Sequence, residues 1–294
     1  MPATPAFDLQ CHSSYSDGAL PPAEVMAVAR RDGVELVALT DHDTIEGVPE
    51  AIEAARHHGI AITPGAEISA VDGVYEDLHV CGYELDLTDS TLTDALASFR
   101  DDRQQRTEAI ADRLEEMGFA LDRTPLERRR REGKPIGRPH IADAVLEHPD
   151  NQDRLRAEGI SDKNGFFPKY IVPGAPAFVS RTHPTVSDAI DVIHAAGGIA
   201  IWAHPFWDVD DPDEVLSAIA RFHAAGLDGV EVFYPTHDEQ QTRLLHDACA
   251  GRGLITTGST DFHSLEHERF NRFRGFELHG LEPNLGPIAA QLTR

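Results

Sequence analysis

The sequence predicts an α/β fold, a distorted TIM-like (β/α)7 barrel interrupted by a helical insertion. Three observations predict it. Apolar, β-like runs alternate with helix-period segments over residues 6–84 and again over 185–257, the βα pattern of a parallel sheet or barrel. Four of those runs stop directly at a histidine or an acid–histidine cluster: 7–12 at His12, 34–39 before Thr40-Asp41-His42-Asp43, 199–204 at His204, and 254–257 before Ser259-Thr260-Asp261-Phe262-His263. Between about 91 and 175 the alternation gives way to helical sequence alone. Counting strands gives roughly seven or eight, within the range of a complete or distorted barrel.

Residues 7–12 form the first predicted strand. Pro21-Pro22-Ala23-Glu24 opens a helix, because proline in the first turn lacks only an N–H that has no partner there, and Gly33 closes it. A strand at 34–39, a helix at 49–58 ended by Gly59, and strands at 60–68 and 78–83 follow. The next segment opens with a long charged helix at 92–117, passes through the arginine run 128–131 and carries a short helix at 139–147. A strand is expected at 177–180. Alternation then resumes with a helix at 185–196, a strand at 198–204, a helix at 212–225, a strand at 229–233, a helix at 239–252 and a strand at 254–257. The expected organisation is a barrel of residues 1–90 and 176–294, with residues 91–175 inserted as a cap over the active site.

Composition bounds the function. The chain has 294 residues, 41% of them hydrophobic, enough for one large core or for a core plus a small inserted domain. No stretch approaches a membrane span, and Met1-Pro2-Ala3-Thr4-Pro5-Ala6 lacks the basic start and apolar core of a signal peptide. Cys11, Cys81 and Cys249 are sparse and unpaired in pattern, which fits a reducing cytoplasm. The net charge of −24 argues against duplex DNA as partner, since phosphate binding relies on Lys and Arg releasing counterions. Any cation that meets a phosphorylated substrate must therefore be local, and bound metal ions supply one.

In βα barrels, residues just past the carboxyl ends of the strands share one mouth. That rule gathers His12, Asp17, His42, Glu67, His79, His204, Asp261 and His263. Imidazoles and carboxylates together are a ligand set for Zn²⁺, Mn²⁺ or Fe²⁺, and a carboxylate such as Glu67 can bridge two ions. Taken singly, each has a plainer reading: a half-exposed histidine, a turn at Asp17-Gly18, a helix cap at Thr40-Asp41.

The motifs carry a resemblance. Asp8-Leu9-Gln10-Cys11-His12-Ser13 with Ser16-Asp17-Gly18 resembles the first motif of the PHP (polymerase and histidinol phosphatase) superfamily. Ala38-Leu39-Thr40-Asp41-His42-Asp43-Thr44 is similar to its second motif and Pro64-Gly65-Ala66-Glu67-Ile68-Ser69 to its third. Ala203-His204-Pro205 and Gly258-Ser259-Thr260-Asp261-Phe262-His263 match the late motifs, and Gly137-Arg138-Pro139-His140 stands where one branch carries Arg-x-x-His. That branch contains nucleoside 3′,5′-bisphosphate phosphatases, also described as 5′-to-3′ exoribonucleases (RNase AM).

The resemblance implies two to three divalent ions, Mn²⁺ first, with Fe²⁺ or Zn²⁺ as alternatives. Asp17, His42 and His263 would hold one; Glu67 would bridge two others, with His79 and His140 completing the second; His12 and Asp261 would serve the last. The family's first motif usually reads His-x-His, and Gln10 stands in the place of the first histidine, a neutral oxygen ligand weaker than imidazole. Glu67, His204 and Arg138 are the expected catalytic residues, with Arg138, His204 and His237 on substrate. The implied function is a metal-dependent phosphoesterase acting on nucleoside 3′,5′-bisphosphates or short RNA with 5′ phosphates. A metal-activated hydroxide would attack phosphorus. A histidinol phosphatase and a catalytically weakened metal-binding regulatory module are the alternatives. The arginine run 128–131 reads as a solvated face or a steering patch, and Phe166, Phe167 and Tyr170 as core packing or a stacking surface for a base.

Overall fold

The computed structural model describes residues 6–134, 136–181 and 183–293; residues 1–5, read above for a leader, lie outside them. The chain divides into two compact units, Met1–Leu96 with Pro184–Arg294, and Ala97–His183.

The first unit begins with β1 (Phe7–Asp8), α1 (Pro22–Arg31), β2 (Leu36–Leu39), α2 (Val48–His58), β3 (Ala61–Asp72) and β4 (Tyr75–Tyr83). A long helix, α3 (Ser90–Glu116), starts in the first unit and runs into the second. The second unit continues with α4 (Thr124–Arg131), α5 (Arg138–Leu146), α6 (Gln152–Ala157) and α7 (Lys163–Tyr170). Back in the first unit come α8 (Val186–Ala195), β5 (Ile199–Trp202), α9 (Pro205–Asp208), α10 (Pro212–Ala224), β6 (Gly229–Phe233), α11 (Glu239–Ala250) and β7 (Ile255–Gly258).

The seven strands form one sheet in sequential order. Leu9 N donates to Gly258 O at 3.1 Å and His12 N to Phe262 O at 2.8 Å, so β1 and β7 meet and the sheet nearly closes into a barrel. The expected all-parallel arrangement does not hold throughout. β4 runs antiparallel to both β3 and β5. Its connection to β3 is Gly73-Val74, with Gly73 in the left-handed region at φ 61°, and so short a link allows only a hairpin. The strand expected at 177–180 is absent, because Arg106 Nε takes the Val179 carbonyl at 2.8 Å and Arg113 takes that of Phe178.

Helices α1 and α2 lean on the barrel through Val25, Met26, Ala29, Ala51 and Ala55, which pack with Val37, Leu39 and Phe262 in one buried cluster. In α1 the buried positions recur at the helical period, the signature of a core-facing stripe. Leu39 is fully buried one residue before the site-bearing turn, and truncating it to alanine is expected to cost about 2–5 kcal/mol. In the second unit, Phe166 (0% exposed) and Tyr170 (4%) pack against Phe119, Ile141 and Leu155. They are core residues, so a base-stacking role for them is excluded by their burial.

Candidate active site

The chain turns sharply where three strands deliver their ligands. Asp43, His204 and Asp261 adopt left-handed backbone at φ 52°, 32° and 57°, just after β2, β5 and β7. Such conformations are disfavoured for residues with a Cβ and cluster at functional sites, where the surroundings hold them. Here the holds are visible: Asp43 N donates to Glu67 O at 2.8 Å, and His204 N donates to Glu231 Oε2 at 3.0 Å. Gly18 closes the loop that carries Asp17 so tightly that a Cβ there would collide with the His12 carbonyl.

Glu67, wholly buried on β3, is the hub. Its Oε1 lies 2.8 Å from His79 Nδ1 and 3.2 Å from His204 Nε2, and accepts a hydrogen bond from Gln10 Nε2 at 3.0 Å. Its Oε2 lies 3.1 Å from both His12 Nε2 and His42 Nδ1. His12 Nε2 is also 3.0 Å from Asp261 Oδ1, and His263 Nδ1 is 3.6 Å from that same oxygen. Asp17 completes the far side, 3.6 Å from His12 Nδ1, 3.6 Å from His42 Nε2 and 3.5 Å from His263 Nε2.

The donors fit divalent ions. Ligand atoms of His12, Asp17, His42 and His263 lie within 4.8 Å of one another, and so do those of His42, Glu67 and His79. Gln10 Oε1, His12 Nε2 and Glu67 Oε2 are buried and make no aligned hydrogen bond, although their neighbours are close. Buried polar atoms are normally satisfied, so atoms like these mark a place for another group. The charges agree. Burial opposes a proton on His12, yet the adjoining Asp261 and Glu67 carboxylates overcome it and hold the imidazole well above its ordinary range. Burial would raise Glu67, but His79 and His42 outweigh it and hold the carboxyl well below. The cluster favours positive charge, here protons on imidazoles, where metal ions would otherwise neutralise the carboxylates.

Residues 8–123 match the PHP domain family. The chain is 34% identical over 263 residues to a 5′-3′ exoribonuclease of Haemophilus influenzae, covering 88% of this chain and 90% of that one. The chain belongs to the PHP family. It is 33% identical over 260 residues to a 3′,5′-nucleoside bisphosphate phosphatase of Chromobacterium violaceum, covering 88% and 87% of the two chains. In three dimensions it is similar to a Chromobacterium violaceum protein crystallised as an amidohydrolase with sulfate and no metal, at TM-score 0.79 and 30% identity over 98% and 96% of the chains. As a PHP protein it is a metal-dependent phosphoric ester hydrolase.

Several residues that hold this PHP site in shape escape the sequence reading. Asp41 is fully buried and accepts from Ser13 N at 2.7 Å, Ser13 Oγ at 2.6 Å and Ser16 Oγ at 2.5 Å, fixing the loop that presents Asp17. Glu231, in the middle of β6, accepts from His204 N and, at 2.6 Å, from Ser259 Oγ; burial pushes its carboxyl up to about 8. Tyr234 Oη donates to Asp261 Oδ2 at 2.9 Å. Asp8 accepts from Thr260 N at 2.9 Å and Arg274 N at 2.8 Å, tying β1 to the segment that carries Asp261. The legible signal was Glu231, a charge inside the apolar run Val230-Glu231-Val232, which is costly unless it has partners.

The structure brings Gln10, His12, Asp17, His42, Glu67, His79, His204, Asp261 and His263 together. His237 is 6% exposed and its Nδ1 pairs with Val232 O at 3.0 Å, which makes Nδ1 the donor; burial holds its pKa down at about 4. Arg138 and His140 belong to the second unit, at the start of α5. There Arg138 Nη1 donates to Ile171 O at 3.3 Å and its guanidinium lies over Phe167 at 5.7 Å, while His140 Nδ1 accepts from Gly137 N at 3.1 Å. Among the described residues no helix is long and apolar enough to cross a membrane.

Proposed function

We propose that this enzyme removes phosphate from small nucleotides, nucleoside 3′,5′-bisphosphates above all, and from the 5′ ends of short RNA, in the cytoplasm. The observation that carries the reading is the buried Glu67 carboxylate ringed by His12, His42, His79 and His204, with Asp17, Asp261 and His263 beside them. The names of two relatives, an exoribonuclease and a nucleoside bisphosphate phosphatase, support the substrate class, and the sulfate in a structural relative supports an anion of phosphate's shape.

Roughly two to three divalent ions, Mn²⁺ ahead of Fe²⁺ or Zn²⁺, would be held by His12, Asp17, His42, Glu67, His79, Asp261 and His263, with Gln10 as a weak oxygen donor. When bound, such ions neutralise phosphate oxygens and bring the pKa of water toward neutrality. The protein's own side chains do the rest. In the metal-free site burial works against charge on His204, but Glu67 outweighs it and lifts the pKa to about 9. Its Nδ1 is buried and makes no hydrogen bond, and giving a proton to the leaving oxygen is the role it would have with substrate bound.

The test is a substrate panel. Protein stripped with chelator is expected to release no phosphate, and Mn²⁺ to restore release from adenosine 3′,5′-bisphosphate and 5′-phosphorylated RNA well above that from histidinol phosphate. A preference for histidinol phosphate, or silence on every ester at saturating Mn²⁺, overturns the reading.

A further inference from the structure

We infer that Trp207 is a stacking platform for the base of a nucleotide whose phosphate occupies the ion cluster, and so sets a preference for base-bearing over baseless phosphate esters. The inference rests on the phosphoesterase reading above and adds to it where the base goes.

Four large apolar side chains stand out as exposed among the described residues: Val74, Trp207, Leu265 and Leu292. Two of them, Trp207 and Leu265, leave the barrel on the segments that follow His204 and His263. Trp207 is 46% exposed on α9, and its N donates to His204 O at 2.8 Å, so the indole is fixed one turn from a residue of the cluster. It does not lie loose. Phe270 supports it at 5.6 Å between ring centroids and Tyr234 at 6.4 Å, both rings buried.

Those supports lead inward. Tyr234 lies 5.3 Å from the His204 ring and donates to Asp261; Phe270 lies 5.9 Å from the His263 ring. The result is a continuous run of rings with ion-binding side chains at its buried end and an open indole at its exposed end. One buried ring, Tyr234, lies between Trp207 and His204. An exposed indole on a preorganised support presents a π-face that any base can stack on, whatever its hydrogen-bonding edge.

The role predicts sequence-tolerant recognition, which suits an enzyme that meets all four bases. Base–aromatic stacking of this kind corresponds to on the order of 5- to 150-fold in affinity.

The experiment compares adenosine 3′,5′-bisphosphate with ribose 5-phosphate, using Mn²⁺-loaded protein. Trp207→Ala is expected to raise KM for the nucleotide by that factor and to leave ribose 5-phosphate within about twofold. Trp207→Phe should recover most of the loss. Trp207→Leu, which still covers Phe270 and Tyr234, should not. Equal losses on both esters, or full recovery with leucine, would mean that the indole only shields its neighbours, and overturn the inference. Binding is read separately through fluorescence, since the chain's other tryptophan, Trp202, is buried. The nucleotide should quench the indole and ribose 5-phosphate should not, with the quench lost in Trp207→Phe. Absence of quenching refutes the platform whatever the turnover, whereas quenching without turnover of either ester keeps the platform and removes the phosphoesterase reading.

Discussion

Replacing Asp41 with alanine withdraws the carboxylate that holds residues 13–16 in place. Three donors converge on it, Ser13 N, Ser13 Oγ and Ser16 Oγ, at 2.7, 2.6 and 2.5 Å. A hydrogen bond to a charged group contributes about 1.5–3 kcal/mol net, so the gross loss is about 5–9 kcal/mol. Two effects offset it. Burial raises the Asp41 pKa against several partners that lower it, so keeping the carboxylate ionised has a cost that the variant escapes. Ser16 Oγ can also turn fully to Asp17 Oδ1, already 3.3 Å away. The expected net destabilisation is about 3 kcal/mol for Asp41→Ala, and about 1–2 kcal/mol for Asp41→Asn, which keeps one acceptor oxygen.

The consequence for the site is larger than for the fold. Asp17 rides on the loop that Asp41 fixes, and loss of such outer support weakens metal binding by about 10- to 100-fold. Urea unfolding of the chelated protein reads the first effect, and calorimetric titration with Mn²⁺ the second. Native stability together with native Mn²⁺ affinity in Asp41→Ala would refute the reasoning, because it would leave those three bonds without work to do.

Other expectations are as specific. Gln10→His should change kcat/KM by less than about tenfold, since Gln10 already bridges Glu67 and Asp261 at 3.0 and 3.3 Å; a gain above about a hundredfold would instead mark the natural site as a weakened regulatory module. Glu231→Ala should lower kcat by about 10- to 100-fold, with Mn²⁺ affinity nearly unchanged, because the left-handed His204 loses its backbone partner; unaltered kcat would disconnect the two. His237 has a folded pKa of about 4, below the unfolded value of about 6.5. Stability from its neutral ring is therefore full above pH 6.5 and falls as the pH drops toward 4, by up to about 3 kcal/mol. His237→Asn should flatten that part of the urea-unfolding profile; an identical acid limb in the variant would show that His237 is not the titrating group.

The legible part of the fold was the part with period. β2, β6, α1 and α11 stand close to where alternation and caps place them, since their apolar positions face one core. The β3–β4 hairpin was misread because Ser69, Asp72 and Tyr75 to Asp77 break the apolar run; the Asp72-Gly73 turn signal lay inside what reads as a loop. The strand expected at 177–180 has β-like residues, but arginine side chains from α3 claim its carbonyls, and a one-dimensional reading cannot see those partners. At the site, ligand-type residues were legible because they sit directly after buried runs. Asp41 and Tyr234 were not, because an acid or a phenol that binds a neighbour's backbone or carboxylate has no spacing signature; Glu231 left one signal, a charge inside an apolar run. Aromatic residues were the hardest to sort: Phe166 and Tyr170 are core, and Trp207, beside the site, is open.

The measurement that bears most directly on the central claim is metal content and phosphate release on the same samples. Chelated protein is reloaded with Mn²⁺, desalted, counted for metal by mass spectrometry and assayed on adenosine 3′,5′-bisphosphate, beside Glu67→Ala. The account predicts roughly two to three ions per chain with turnover, and in Glu67→Ala a loss of at least one ion together with turnover. Phosphate release that survives complete chelation, or a Glu67→Ala variant that binds the same ions and turns over at the native rate, would contradict it.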